Sequence, residues 1–439
     1  MIAQLYQYFL NTKRVFINSN EASEGGIFFA VGQLLADGRH KSCQYAIAAL
    51  QAGANFAVVN DAQLYSQYPN YQSQLFLVEN GEVALQQLAT FHRQNLHIPI
   101  IGIAGSNGKT TTKELLKSIL STKYNCFATP SNLNNHIGVP LSVLQILPEH
   151  QIAIIEIGAN HLKETAQLSE ICKPTHGVVT NNGKDHLGEY GSVQNIKIAN
   201  AELYDYLAYN GKIAFVNNDN YELVEYSSRV ADKILYGQNT NFYAVANNGL
   251  FLSFELYVDN QKYNINTQLF GTYWLGVFTA AAVIGYHFGI NIDKINECLS
   301  GYRPKNLRGE QRIWRNGLAL LDCYNANPSS MKVFIEVCQQ NTIPVGETKN
   351  LLILGEMLEL GEFAKQEHSE LLQQIHFNNF SFVVLVGASF LLEELPQAVN
   401  LLYFDSVALL KDWLDKQPYQ NWNAFVKGSR ANKLEQCFE

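Results

Sequence analysis

"GIAGSNGKTTTKELL" (residues 102–116) follows the apolar run "IPII" (98–101) and leads into a segment with helical spacing. Gly102, Gly105 and Gly108 let the backbone approach an anion closely, Lys109 is placed to reach outer phosphates, and the Thr110 hydroxyl suits a magnesium ion. A helix starting near Lys109 adds free N–H groups and the positive end of its dipole. Leu115, Leu116, Ile119 and Leu120 recur as one buried helical face should. The loop is a variant, because the strict phosphate-loop pattern wants glycine where Ile103 stands. Candidate nucleotide contacts are therefore Gly105, Ser106, Asn107, Gly108, Lys109, Thr110 and Thr111. An ordinary glycine-rich turn before a helix is the competing reading, and the strand, the Gly-Lys-Thr and the helix together count against it.

A chain of 439 residues exceeds one ordinary domain, and 47% hydrophobic residues can fill real cores. The net charge of −8, with no basic cluster, argues against nucleic acid as a partner. Seven scattered cysteines without a C-x-x-C pair fit a reducing compartment, with no zinc site and no disulfide frame. No segment has the length and apolar character of a signal core or a membrane span, so the chain is expected to be soluble and cytoplasmic, with no membrane insertion.

Outward from the loop, "QIAIIEIGA", "THGVVTNN" and "GKIAFVNND" are apolar strands ending in polar residues, alternating with helices. That pattern predicts an α/β fold with a mostly parallel sheet and ligands at its carboxyl edge. Before it, "GGIFFAV" and "NFAVVN" around a helical stretch predict a small N-terminal α/β unit. Between about 241 and 270, alternating turn-rich sequence predicts a small antiparallel sheet. After "YRPKNLRGE", the runs "LALLDCYN", "NLLILGEM", "FVVLVGA" and "NAFVKGS" predict a third, Rossmann-like α/β unit. The expected units are 1–95, 96–305 and 306–439.

Glu156 closes "IAIIEIG" where an oxygen ligand would suit magnesium on nucleotide phosphates, and His186 follows another strand end. Singly, such residues are most often surface or structural groups. With Lys109 and Thr110 they describe a site for phosphoryl transfer.

The remaining stretches narrow the class. "SNLNNHIGVP" (131–140), "EIGANH" (156–161), "DCYNANPSSM" (322–331), "LGEMLELGEFAKQEH" (354–368) and "KGSRANKLE" (427–435) resemble the Mur ligases over almost the whole chain, within them most closely the D-alanyl-D-alanine-adding kind. The resemblance implies a uridine-nucleotide domain, a central ATPase and a closing C-terminal domain. It implies an acyl phosphate made from ATP on UDP-N-acetylmuramoyl-tripeptide, then amide formation with D-alanyl-D-alanine, by an expected monomer. Carried over by position, Lys109 contacts outer phosphates, Thr110 and Glu156 hold a first Mg2+, and His186 serves a second. Asn135 lies near the reacting groups and Arg308 beside the hinge. Asp322, Tyr324, Asn325 and Asn327 close on the nucleotide. Ser19, Asn160, His161, Lys427, Ser429 and Arg430 are substrate-side candidates.

Departures from the family pattern cluster by function. Asn200 stands where the family carries a carbamylated lysine bridging two magnesium ions, with Lys197 three residues earlier as the one nearby amine. Tyr273, Trp274 and Val277 replace the expected aromatic-or-histidine, Asn and second Asn near adenine; an indole stacks but lacks an amide's bidentate reading. Asn18-Ser19-Asn20 and Gly32 lack charges expected beside the uridine diphosphate, and Ala104 replaces a threonine. Two other readings stay open: a degenerate paralogue that binds nucleotide without ligating, and a related ligase with another acceptor, such as a folylpolyglutamate-synthase-like one. "NANPSSM" and "GEMLELGE" count against the latter.

Overall fold

The computed structural model describes residues 1–304, 306–341, 349–392, 395–418 and 420–439. The expected boundary at 305/306 abuts Lys305, outside the described residues. A parallel sheet of six strands runs in the order Lys233–Tyr236, Ile213–Asn217, His176–Val179, Ile100–Ala104, Ile152–Glu156, Cys126–Ala128. Ile100–Ala104 and Ile152–Glu156 are buried along their whole length, as strands covered on both faces must be, which is why they read as unbroken apolar runs. The chain leaves Ile100–Ala104 toward one edge and later returns on its other side at His176–Val179. This divergence opens a crevice at the carboxyl end of the central strand.

Helix Lys109–Leu120 packs Leu115, Leu116, Ile119 and Leu120 into one core with helix Leu275–His287 and the three-stranded antiparallel sheet Phe242–Ala246, Phe251–Val258, Gln261–Phe270. Strand Phe251–Val258 alternates, burying Leu252, Phe254, Leu256 and Val258. Helix Leu275–His287 is apolar nearly all round because it is enclosed between this sheet and the helix after the phosphate loop.

The N-terminal sheet has four parallel strands, Val15–Phe16, Ile27–Phe29, Phe56–Val59 and Leu75–Leu77. Its core continues through helix Gly81–Gln94 into the central region. Buried Arg93 fastens that junction, donating to the carbonyls of Cys172 (2.9 Å), Lys173 (3.0 Å) and Leu96 (2.7 Å).

The last sheet has the order Arg308–Trp314, Gly317–Asp322, Trp422–Lys427, Lys349–Gly355, Phe382–Val386, Leu401–Phe404, parallel except for its first strand. Its register sets Asp322 beside Lys427, and Lys427 Nζ lies 2.5 Å from Asp322 Oδ2 with both residues buried. Removing one partner leaves an uncompensated buried charge, so Lys427→Ala is expected to cost about 3–5 kcal/mol, and the Asp322→Asn/Lys427→Met double variant markedly less. Urea denaturation followed by circular dichroism would show this as a lower midpoint for the single variant; equal midpoints would contradict it.

Candidate active site

The loop after Ile100–Ala104 is shaped by close packing. Gly105 has φ 116°, and a Cβ there would lie 2.3 Å from Thr180 Oγ1 and 2.8 Å from Thr180 N. The Ser106 N–H donates to Asn181 O (3.0 Å), and Asn107 N–H donates to Asn181 Oδ1 (3.1 Å). Thr180 Oγ1 in turn donates to Asn107 O (2.7 Å). These contacts bind the loop to the neighbouring strand end. The N–H groups of Lys109, Thr110 and Thr111 make no hydrogen bond among the described residues, so the helix N-terminus presents them as anion donors. Lys109 Nζ donates to the carbonyls of Gly105 and Ser106, directly over the loop.

Glu156 is 2% exposed and sits under the loop. Its Oε1 accepts from Thr110 Oγ1 (3.1 Å) and Asn134 Nδ2 (2.8 Å), while Oε2, which accepts no hydrogen bond, lies 3.0 Å from Lys113 Nζ. The buried Glu156 carboxylate, with Oε1 beside the Thr110 hydroxyl and Oε2 against Lys113, offers oxygen donors that fit one magnesium ion. Asn135, expected near the reacting groups, instead caps the next helix, its Oδ1 accepting from Ile137 N (3.2 Å) and Gly138 N (2.9 Å). The adjacent Asn134 reaches Glu156. Two successive asparagines in one motif gave no signal of which would turn inward.

The third unit completes the cleft. Asn327 caps helix Pro328–Gln340 and its Nδ2 donates to Asn107 Oδ1 (2.8 Å) across the two units. Ser329 Oγ accepts from Lys184 N (2.9 Å), and Lys184 Nζ is 2.6 Å from Glu367 Oε1. The Arg308 guanidinium lies over the Tyr324 ring at 3.7 Å and makes no ion pair among the described residues. Lys427 also donates to Asn325 O (3.3 Å), so its charge is committed inside the domain; Arg430 pairs with Glu435. Ser429 Oγ donates to Glu356 O (3.0 Å). The resulting cleft of about 710 Å³ is bordered by Lys109, Thr110, Glu156, His186, Arg308, Asp322, Tyr324, Asn325, Lys427, Ser429 and Arg430.

His186 has φ 47° and places Nδ1 2.8 Å from Glu359 Oε2 and 3.4 Å from Glu189 Oε2. Burial disfavours the imidazolium, yet the carboxylates of Glu359 and Asp185 outweigh it and hold the pKa above the ordinary histidine value. Asn200 is buried and donates to Asn182 Oδ1 (3.1 Å) and Ser106 Oγ (3.3 Å). Lys197 turns to Glu222 Oε1 at 2.5 Å, a hydrogen bond that raises its pKa and keeps it an ammonium. Lys197 is thus committed to an ion pair with Glu222 in this structure. Asn200 donates its hydrogens and Lys197 is paired with Glu222, so neither supplies the anionic ligand expected of a carbamylated lysine.

Ser19, Asn160 and His161 lie outside this cleft. Ser19 opens the short helix Ser19–Glu24, capped by Asn18 Oδ1 on Asn20 N (3.1 Å). Asn160 N–H donates to Glu164 Oε2 (2.9 Å), and His161 is exposed with Nδ1 2.8 Å from Asn160 Oδ1. Gly32 adopts φ 92°, a backbone that would strain the lysine expected there.

A parallel sheet with a phosphate loop and a strand-end carboxylate, faced by a second α/β unit, defines a nucleotide-dependent enzyme whose site lies between the two units. Residues 103–285 match the Mur ligase middle domain, and residues 308–429 the Mur ligase, glutamate ligase domain. The chain belongs to the Mur ligase family. It is 28% identical over 446 residues to a UDP-N-acetylmuramoyl-tripeptide--D-alanyl-D-alanine ligase of Rickettsia prowazekii, covering 98% of this chain and 95% of that protein. It is 34% identical over 325 residues to the ligase of the same name from Synechocystis, covering 73% and 68%. Among solved structures, MurF from Acinetobacter baumannii superposes with a TM-score of 0.83 at 26% identity, covering 97% of this chain and 92% of that one.

Gly105→Ala places a Cβ into Thr180 and strains the backbone by about 1–3 kcal/mol. The expected result is a roughly 10- to 100-fold loss of ATP affinity in isothermal titration, with the circular dichroism spectrum unchanged. Unaltered affinity would show that the loop does not depend on this packing.

Proposed function

We propose that this chain is an ATP-dependent amide ligase that adds D-alanyl-D-alanine to UDP-N-acetylmuramoyl-tripeptide through an acyl phosphate, for peptidoglycan precursor synthesis. The observation that carries it is the single cleft in which the phosphate loop and Glu156 face the Asp322–Asn327 and Lys427–Arg430 segments, joined by the Asn327–Asn107 bond. In this reading residues 1–95 hold the uridine nucleotide with Ser19, 96–305 bind ATP, and 306–439 close. The protein works as a cytoplasmic monomer without nucleic acid. No helix among the described residues is long and apolar enough to cross a membrane.

A carboxylate is a poor acyl donor until one oxygen carries phosphate. The tripeptide carboxylate attacks the γ-phosphorus; an O–P bond forms, and the bond to ADP breaks. The dipeptide amine then attacks the acyl carbon, phosphate leaves, and the nitrogen loses a proton. The first step brings two anions together, so its barrier is largely electrostatic. Lys109 and the free N–H groups of the helix start bind the outer phosphates. Arg308, oriented by Tyr324, places positive charge on the facing wall, and the His186 imidazole is held there by Glu359. Thr110 and Glu156 would hold magnesium, which supplies charge neutralisation between the phosphates. The acyl phosphate is water-sensitive, and the contacts of Lys184 with Glu367, His186 with Glu359 and Asn327 with Asn107 hold the units together over it.

The test is product formation. Purified protein with ATP, magnesium and both substrates is expected to yield the pentapeptide nucleotide by mass spectrometry, with each omission and Lys109→Ala reducing it at least about a hundredfold. Nucleotide binding without product under any magnesium concentration would overturn the ligase reading.

A further inference from the structure

Lys113 stands one turn beyond Lys109 on helix Lys109–Leu120, and its side chain is only 6% exposed. Its Nζ lies 3.0 Å from Glu156 Oε2 and donates to Ser131 O (2.8 Å), so the ammonium is anchored from two sides. It approaches the carboxylate from behind. Glu156 borders the nucleotide cleft, whereas Lys113 borders a second cavity of about 870 Å³ together with Glu114 and Lys117. The phosphate contacts assigned to Lys109 leave this second lysine without a task in the chemistry.

The pair fixes the charge that a metal ion would meet. Glu156 contributes one negative charge, Lys113 cancels it, and the other side chains on the carboxylate, Thr110 and Asn134, are neutral. Among the described residues, no three His, Cys, Asp or Glu side chains group as metal ligands would. A small divalent cation gives up its water reluctantly, and a neutral site with one carboxylate offers little in exchange. Bound nucleotide changes the balance, because its phosphates bring several negative charges and oxygen ligands to the helix start.

We propose that Lys113 is a positioning residue that makes metal binding conditional on nucleotide. By neutralising Glu156 from behind, it keeps magnesium off the empty loop and lets the ion enter and leave with the phosphates. An ion held permanently by the protein would remain after ADP and phosphate formed, and its charge would retain them. A cation built into the helix instead gives Glu156 its counter-charge in the empty state, so the buried carboxylate is never left unpaired.

The inference rests on Thr110 and Glu156 as the metal ligands of the proposed ligase. Manganese(II) alone is the probe, titrated into the full chain without nucleotide and followed by the electron paramagnetic resonance of the free ion. Wild type and Lys113→Arg are expected to bind no more Mn2+ than Glu156→Gln. Lys113→Met and Lys113→Gln are expected to gain one ion per chain, with affinity raised about tenfold or more, which is the repulsion of a unit charge a few ångströms from a divalent ion even under the screening of water. Adding Glu156→Gln to Lys113→Met cancels the gain. Damage to the fold, checked by circular dichroism, does not tighten a metal site, so the gain separates this role from a structural one. Wild type that holds an ion at Glu156 without nucleotide, or folded neutral variants that gain none, overturns the inference. Ligation measured in parallel keeps the two readings apart. Product from a chain that binds Mn2+ at Glu156 without nucleotide sinks this inference alone, and the expected Mn2+ pattern without product sinks the ligase alone.

Discussion

The structure depends on one steric constraint: the chain after Ile100–Ala104 must turn sharply enough to leave a helix N-terminus unsatisfied and facing outward. Gly105 presses on Thr180, Asn181 takes the amides of Ser106 and Asn107, and only then are the next N–H groups left for an anion. The parallel sheet exists, in this sense, to hold two strand ends at the separation this turn requires. The helix Lys109–Leu120 is fixed from behind by an apolar helix and a three-stranded sheet, so the donors keep their aim without any ligand.

Around that turn, charge is largely neutralised within the protein. Glu156 has Lys113, Lys427 has Asp322, Arg430 has Glu435, and Lys197 has Glu222. Buried ions without partners would be costly, so pairing is what lets so many sit in one place. Among the described residues, Lys109 and Arg308 stacked on Tyr324 are cations that border the cleft without a carboxylate partner. The missing carbamate at Asn200 belongs to this pattern. An amide joined to Ser106 and Asn182 secures the phosphate loop by hydrogen bonds at the position where the resemblance led to the expectation of an anion.

The parallel sheet was legible because strands buried on both faces must be apolar throughout, and their polar ends must face the ligand edge. The phosphate loop was legible because glycine, lysine and threonine at that spacing have few other uses. Helix Ile2–Thr12 was not, since its aromatic face, with Leu5, Tyr6 and Phe9, gains meaning only against helix Gly81–Gln94. Nor was the strand Leu75–Leu77, whose three residues are too few to show a pattern. In the site, spacing could not choose Asn134 over Asn135, because the two are adjacent and of the same type. The pairing of Lys427 with Asp322 was equally hidden: it follows from the register of two strands separated by a hundred residues of chain. Side-chain partners across the units, such as Asn327 with Asn107, depend on tertiary closure and leave no local pattern.

The two large units also meet at a place with no side chain at all. Gly188 N–H donates to Glu359 O at 3.0 Å, and a Cβ on Gly188 would lie 2.7 Å from Gly361 N, backbone against backbone. An interface set by rotamers can close to many depths, because long side chains yield gradually. Here the stop is the van der Waals radius of two main chains, which does not yield. The separation of the two units at this point is therefore set by main chain against main chain.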